Sequence, residues 1–259
     1  MLRVRPVHFT SRIESWKQFL TALGMVQTED DGGWQVFDSA SGRLALHGAD
    51  AGSGQDGRTV FAVEVGDVAE FARRTNLSAQ EDGTQDSAQE DGAHADGTQA
   101  AQLAELVTAD HGEACGISAP DGFSFLADKA LHGAQCADAD PALAVAAVWY
   151  TAEPGAAIRT LLHVGARPRP VPDNDETADF TAKNGGVLLV RPASGPPRSG
   201  LGFEYDGGLE PLHERLTGAG FAASLTEEAF GSTLHVANPD AGSPNAPATL
   251  WISQRRPMG

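Results

Sequence analysis

One stretch of this chain is written twice. The run Val4-Arg-Pro-Val-His-Phe-Thr10, leading through Phe19-Leu-Thr-Ala-Leu-Gly24, returns without a gap as Val145-Ala-Ala-Val-Trp-Tyr-Thr151, leading through Thr160-Leu-Leu-His-Val-Gly165. Each copy opens on a short alternating strand, continues through a helix of about three turns and closes on a glycine. A repeat of about 140 residues is long enough to bury a core of its own, whereas units of ~20–50 residues must stack to do so. The pattern therefore predicts two copies of one fold in tandem: a first domain over 1–137, a linker over 138–143 and a second domain over 144–259.

The length of 259 residues suits two domains of ordinary size. No apolar run reaches the roughly 18 residues needed to span a bilayer, and Met1-Leu-Arg leads into the first strand without a signal-peptide pattern. A cytoplasmic protein with no membrane partner is expected. The formal net charge of −17 argues against nucleic acid as a partner, because the average field of the chain repels phosphates. Cys115 and Cys136 fit neither a disulfide framework nor a metal motif and read as buried or incidental thiols. Part of the negative charge lies in Ser78 to Gln102, which repeats Ala-Gln-Glu-Asp-Gly and carries almost no large apolar side chain. It is expected to be a flexible acidic loop.

Within the first copy, Val4–Thr10 alternates as a strand. Ser11 is placed to start a helix over Ile13–Leu23, and Gly24 to stop it. Strand-like runs at Met25–Thr28, Trp34–Asp38 and Arg43–His47 follow, separated by turn residues. The order β-α-β-β-β then recurs: Val60–Val65, a helix over Val68–Thr75, the acidic loop, and strands at Leu103–Thr108, Glu113–Ser118 and Ser124–Asp128. The second copy supplies two more such modules, beginning at Val145 and Leu201.

Four modules paired two by two resemble the vicinal oxygen chelate superfamily, which includes glyoxalase I, the extradiol dioxygenases and the bleomycin-resistance type binding proteins. The phrases that carry the resemblance are Phe19-Leu-Thr-Ala-Leu-Gly24, Phe61-Ala-Val-Glu-Val65, Ala119-Pro-Asp-Gly122, Leu201-Gly-Phe-Glu-Tyr205 and Ala237-Asn-Pro-Asp240. It implies an α+β fold in which four βαβββ modules pair into two glyoxalase-like half-barrel domains. It also implies a divalent metal held in each cup by His and Glu from four strands, leaving open positions for two adjacent substrate oxygens. By register those ligand positions fall on Val4, Ala45, Val60 and Leu126 in the first copy, and on Val145, Leu189, Gly200 and Trp251 in the second. None of these side chains can bind a metal, so no cofactor is expected.

The leading expectation is therefore a metal-free binding protein that holds a small apolar or aromatic organic molecule in a cup between modules. The chain would be a monomer, as an internal pseudo-dimer, or a homodimer. Candidate lining residues are His8, Trp34, Phe37, His47 and Glu64 in the first cup, and Trp149, Phe180, Arg191, Glu204 and Trp251 in the second. A second expectation is a metal-dependent lyase, isomerase or dioxygenase with ligands displaced toward the rim, drawn from His8, His47, Glu64 and Asp128. A third is a structural or interaction protein whose cups are filled by side chains. His111, Glu113 and Cys115 lie close in sequence, but nothing around them resembles a nucleophile elbow.

Overall fold

The computed structural model describes residues 1–89, 102–110, 112–131, 138–170, 177–228 and 231–255. The first module runs β1 (Leu2–Val4), β2 (Val7–Thr10), α1 (Ile13–Leu23), β3 (Val26–Asp31), β4 (Trp34–Asp38) and β5 (Arg43–Gly48). The second runs β6 (Thr59–Val60), β7 (Ala62–Val65), α2 (Val68–Gln89), β8 (Ala104–Ala109), β9 (Gly112–Ser118) and β10 (Ser124–Lys129). The third has β11 (Leu143–Thr151), α3 (Pro154–His163), β12 (Arg167–Arg169), β13 (Ala178–Thr181) and β14 (Val187–Pro192). The fourth has β15 (Arg198–Tyr205), α4 (Leu209–Gly218), β16 (Ala223–Glu228), β17 (Gly231–Ala237) and β18 (Thr249–Gln254). Among the described residues no helix is long and apolar enough to cross a membrane.

In the second copy the strands form one sheet in the order β12-β13-β14-β11-β15-β18-β17-β16. The first copy follows the same order but is divided into β3-β4-β5-β2-β6 and β1-β7-β10-β9-β8. The division has a local cause. Proline has no N–H to give a ladder, so Arg5-Pro6 separates β1 from β2, while β11 runs unbroken through the equivalent residues. The first strand of each module lies parallel to its last, as in β2 beside β5 and β11 beside β14, and the modules of a copy meet antiparallel, as β11 meets β15.

The helices lie on one face of these sheets, and a single apolar cluster runs through both copies. From α1, Trp16, Phe19, Leu20 and Leu23 are fully buried, and Phe19 meets Phe203 and Phe221 of the second copy edge-on. Trp149 of β11 packs in turn against Phe61, Phe123 and Phe125 of the first. Each such side chain contributes about 1.5–3 kcal/mol of burial, so the sheets are joined by core rather than by a polar seam. Gly24 ends α1 at φ 98°, and a Cβ there would stand 2.6 Å from that of Asp140.

Contacts between the copies come in matched pairs. The Val4 amide donates to the Gly185 carbonyl at 2.9 Å, and the Val145 amide to the Ser41 carbonyl at 2.9 Å. The two proline-aspartate turns also match. Asp240 accepts from Thr10 Oγ1 and Trp16 Nε1 and bonds His8 Nε2, while Asp121 accepts from Trp149 Nε1 and Thr151 Oγ1.

Two local expectations are corrected. Ser11 is not the cap of α1: the cap position is Arg12, and the Ser11 amide donates to Asp56. The acidic stretch does not leave the helix after Thr75, because α2 continues to Gln89. Ala79 packs on the core, and Ser78 Oγ lies 3.1 Å from His163 Nδ1 of α3. Alanine, glutamine and glutamate are good helix formers, and docking on α3 supplies the burial that composition alone did not suggest. The later part of that stretch, residues 90–101, lies outside the described residues.

Asp56 provides an acid-sensitive element. The Gly52 amide, and after it the Ser11 amide, hold its carboxyl at a pKa of about 2 against an ordinary 3.8. A depressed folded-state value adds stability above the unfolded value, and that stability is lost as pH falls through the folded one. The thermal midpoint of the parent, compared with that of Asp56→Asn, should therefore show its full advantage above about pH 4 and lose it toward about pH 2.

Candidate functional site

The sheet faces turned away from the helices form the two cups, and strand parity decides what lines them. In β1 and β2, Leu2 and Val4 belong to the helix-side core, so Arg3, Arg5, Val7 and Phe9 face the first cup. In β11, Val145, Ala147 and Trp149 belong to that core, while Ala144, Ala146, Val148 and Tyr150 face the second cup. The expected parity of the opening strand is thus inverted in both copies. His8 and Trp149 point toward the helices, to Asp240 and Asp121. Phe37 and Phe180 also lie in the helix-side core rather than lining a cup. In β11 both faces are apolar, so alternation has nothing to choose between, while in β1 and β2 the cup-side parity carries Arg3 and Arg5 as well as Val7 and Phe9.

The first cup is filled by charge. Glu64 of β7 lies at its centre, with Arg3 Nη2 at 2.5 Å, Arg5 Nε at 3.1 Å and Arg43 Nη1 at 3.2 Å. Arg5 also bonds Asp128 of β10, and Arg43 bonds Asp38, Glu29 and Thr28. Arg3, Arg5, Arg43, Glu64, Asp38 and Asp128 are all buried. Burial alone would lower the pKa of Arg43, but the neighbouring carboxylates, Glu64 foremost, hold it above the ordinary arginine range. At the rim, His47 is exposed, with its ring against Phe9 and Trp34, and the Arg5 guanidinium lies over the Trp34 indole.

The donors that a metal would require do not converge. His8 is on the opposite side of the sheet, His47 bonds the Gly48 carbonyl at the rim, and Glu64 and Asp128 are occupied by guanidinium groups. Among the described residues no group of three or more His, Cys, Asp or Glu side chains is placed to hold a metal ion. A dication at Glu64 would also stand beside three fixed positive charges, so the residues present do not fit the ion that the fold suggests. Cys115 is no nucleophile either: burial pushes its thiol up to about 11, and His111 lies outside the described residues.

The second cup is lined differently. Its floor is Ala144, Ala146, Val148, Val187 and Leu189. Glycines at 200 and 202 of β15 admit two aromatic rings: a Cβ at Gly202 would lie 2.3 Å from the Trp251 indole, and one at Gly200 would lie 2.7 Å from the Tyr150 ring. Arg198 covers Tyr150 at 4.9 Å. Arg191 is tied to Asp179 at 2.7 Å. Toward the start of β11 the cup opens into a cavity of about 600 Å³ between Ala144, Val187, Glu204 and the Ala182–Gly186 hairpin, with Ser41 of the first copy at its wall. Arg169 of β12 enters it and pairs with Glu204 at 2.9 Å.

Of the residues expected at the second cup, Glu204 and Trp251 lie within it, Arg191 is held in an ion pair, and Trp149 and Phe180 lie behind the sheet. Arg169, Tyr150 and Ser41 were missed. The alternating glycines of Arg198-Ser-Gly-Leu-Gly202 were the available signal, since glycine inside a strand marks a close approach.

No protein-family model and no curated protein matches the chain. Solved structures do. The manganese-bound glyoxalase from Novosphingobium aromaticivorans aligns over 97% of this chain and 80% of its own, with a TM-score of 0.59 at 13% identity. The 2,3-dioxygenase LapB from Pseudomonas sp. KL28 aligns over 97% and 90% (TM-score 0.56, 12% identity), and homoprotocatechuate 2,3-dioxygenase from Arthrobacter globiformis over 98% and 78% (TM-score 0.56, 13% identity). The chain has the vicinal oxygen chelate fold over essentially its whole length.

Proposed function

We propose that the protein is a small-molecule binding protein of the glyoxalase and bleomycin-resistance type, with its site in the second cup and no metal in its action. The difference between the cups carries this reading. The same face of the same fold is packed with paired Arg and Glu in the first copy, whereas in the second Tyr150 and Trp251 cover an apolar floor that opens, at the start of β11, into a cavity of about 600 Å³. That volume lies within the roughly 300–1,000 Å³ of small-molecule sites, and a lining in which Ala144 and Val187 stand beside Arg169, Lys183, Glu204 and Asp206 suits an organic ligand with an apolar body and a polar end. The first cup then serves as a structural counterpart, as the filled-cup expectation describes.

A thermal-shift screen of small apolar and aromatic compounds tests the site. A binder present at 100 times its dissociation constant stabilises the fold by about 2.7 kcal/mol. That shift should disappear in Ala144→Trp, which fills the floor, and weaken in Trp251→Leu, while Trp34→Leu in the first cup leaves it intact. A shift that survives Ala144→Trp would place the ligand elsewhere.

A further inference from the structure

We infer that the second-cup cavity takes a small organic carboxylate, its anionic group seated on Arg169 and Lys183 where the two copies meet. The inference rests on the reading of that cup as a binding site and adds the class of ligand. The chain carries 35 acidic side chains against 18 basic ones. Around this cavity the balance is reversed: Arg169, Lys183 and Arg255 face Glu204 and Asp206.

The pairing within the cavity shows where the positive charge is left over. At its mouth Arg255 and Asp206 meet at 3.3 Å and offset one another. Deeper in, Glu204 engages only Nη1 of Arg169, at 2.9 and 3.1 Å, and among the described residues Nε and Nη2 have no hydrogen-bond partner. Those donors form the forked edge that a carboxylate meets with two parallel bonds. Lys183 is exposed on the hairpin and makes no ion pair with a described residue. Ser41 Oγ accepts the Gly186 amide at 2.8 Å and keeps its own proton to donate, so the first copy also contributes a group to the site. An amine ligand would find Glu204 already engaged and two cations beside it. Ala144 and Val187 leave an apolar floor for the body of the ligand.

Isothermal titration of the full chain with 2-naphthoate, 2-naphthamide and 2-naphthylmethylamine tests the class, since the three share an apolar body and differ in charge. The naphthoate should bind at least tenfold more tightly than the amide, and its affinity should fall between low and high salt. Arg169→Met alone strands Glu204 and could fail to fold. The charge-balanced Arg169→Met with Glu204→Gln, and the surface change Lys183→Ala, should instead keep the parent thermal midpoint and lose about tenfold and threefold in naphthoate affinity. Equal binding of acid and amide, or a preference for the amine, overturns the carboxylate assignment and leaves the second-cup reading standing if Ala144→Trp abolishes that binding. If none of the three binds at millimolar concentration the inference falls, and if the library screen also gives no shift the second-cup reading falls with it.

Discussion

Replacing Glu64 by alanine should destabilise the protein by about 3–5 kcal/mol, because it removes the shared counter-charge of three buried guanidinium groups. With Glu64 gone, Arg5 keeps Asp128 and Arg43 keeps Asp38. Arg3→Met added to Glu64→Ala should recover part of the loss, since two opposite buried charges then leave together. Urea denaturation of the parent, the single variant and the double variant measures this. A loss below about 1 kcal/mol for Glu64→Ala would mean that the cluster is hydrated in solution and that the first cup is open.

Asp240→Ala should cost a similar amount, about 3–5 kcal/mol. The carboxylate is fully buried and serves three side chains from the other copy: His8 at 2.8 Å, Thr10 at 2.7 Å and Trp16 at 2.8 Å. Each buried group left without its partner costs about 1–3 kcal/mol, and neighbouring losses do not add fully. Asp121 receives two side chains from the other copy, Trp149 and Thr151, besides the Phe123 amide of its own turn, and is less deeply buried, so Asp121→Ala should cost less than Asp240→Ala. Equal losses at the two turns would sink the idea that burial and the number of side chains received from the other copy set the strength of each latch. Burial alone would raise the pKa of Asp240, but the bonds from His8, Thr10 and Trp16 outweigh it and hold the carboxyl below its ordinary range. Its contribution is therefore complete above the unfolded-state value and is lost as acid brings the pH down through the folded one.

Both effects bear on how the duplicated architecture is used. The first cup is closed by its ion cluster, the aspartate turns fasten one copy to the other, and in the second copy a cavity of about 600 Å³ opens at the start of β11. In the proposed function, binding falls to the copy whose cup is not closed by charge.

The order of strands and helices was legible in the chain because it depends on local signals. Alternation marked the strands, helical spacing of Trp16, Phe19, Leu20 and Leu23 marked α1, glycine at 24 marked its end, and the Ala-Pro-Asp-Gly and Asn-Pro-Asp phrases marked turns. The face that each strand presents was legible only where one parity was clearly polar, as at Glu64 and Asp128. Tertiary structure decided the rest. Nothing local marks Arg3 and Arg5 for burial: the carboxylates of β7 and β10 are brought against them from more than 60 and 120 positions away. His8 and Trp149 read as cup residues until the turns at Asp240 and Asp121 claimed them from the other copy. Periodicity records that a strand has two sides, but which side meets helix, partner charge or open cavity is a property of the neighbours, and those are supplied by residues remote in the chain.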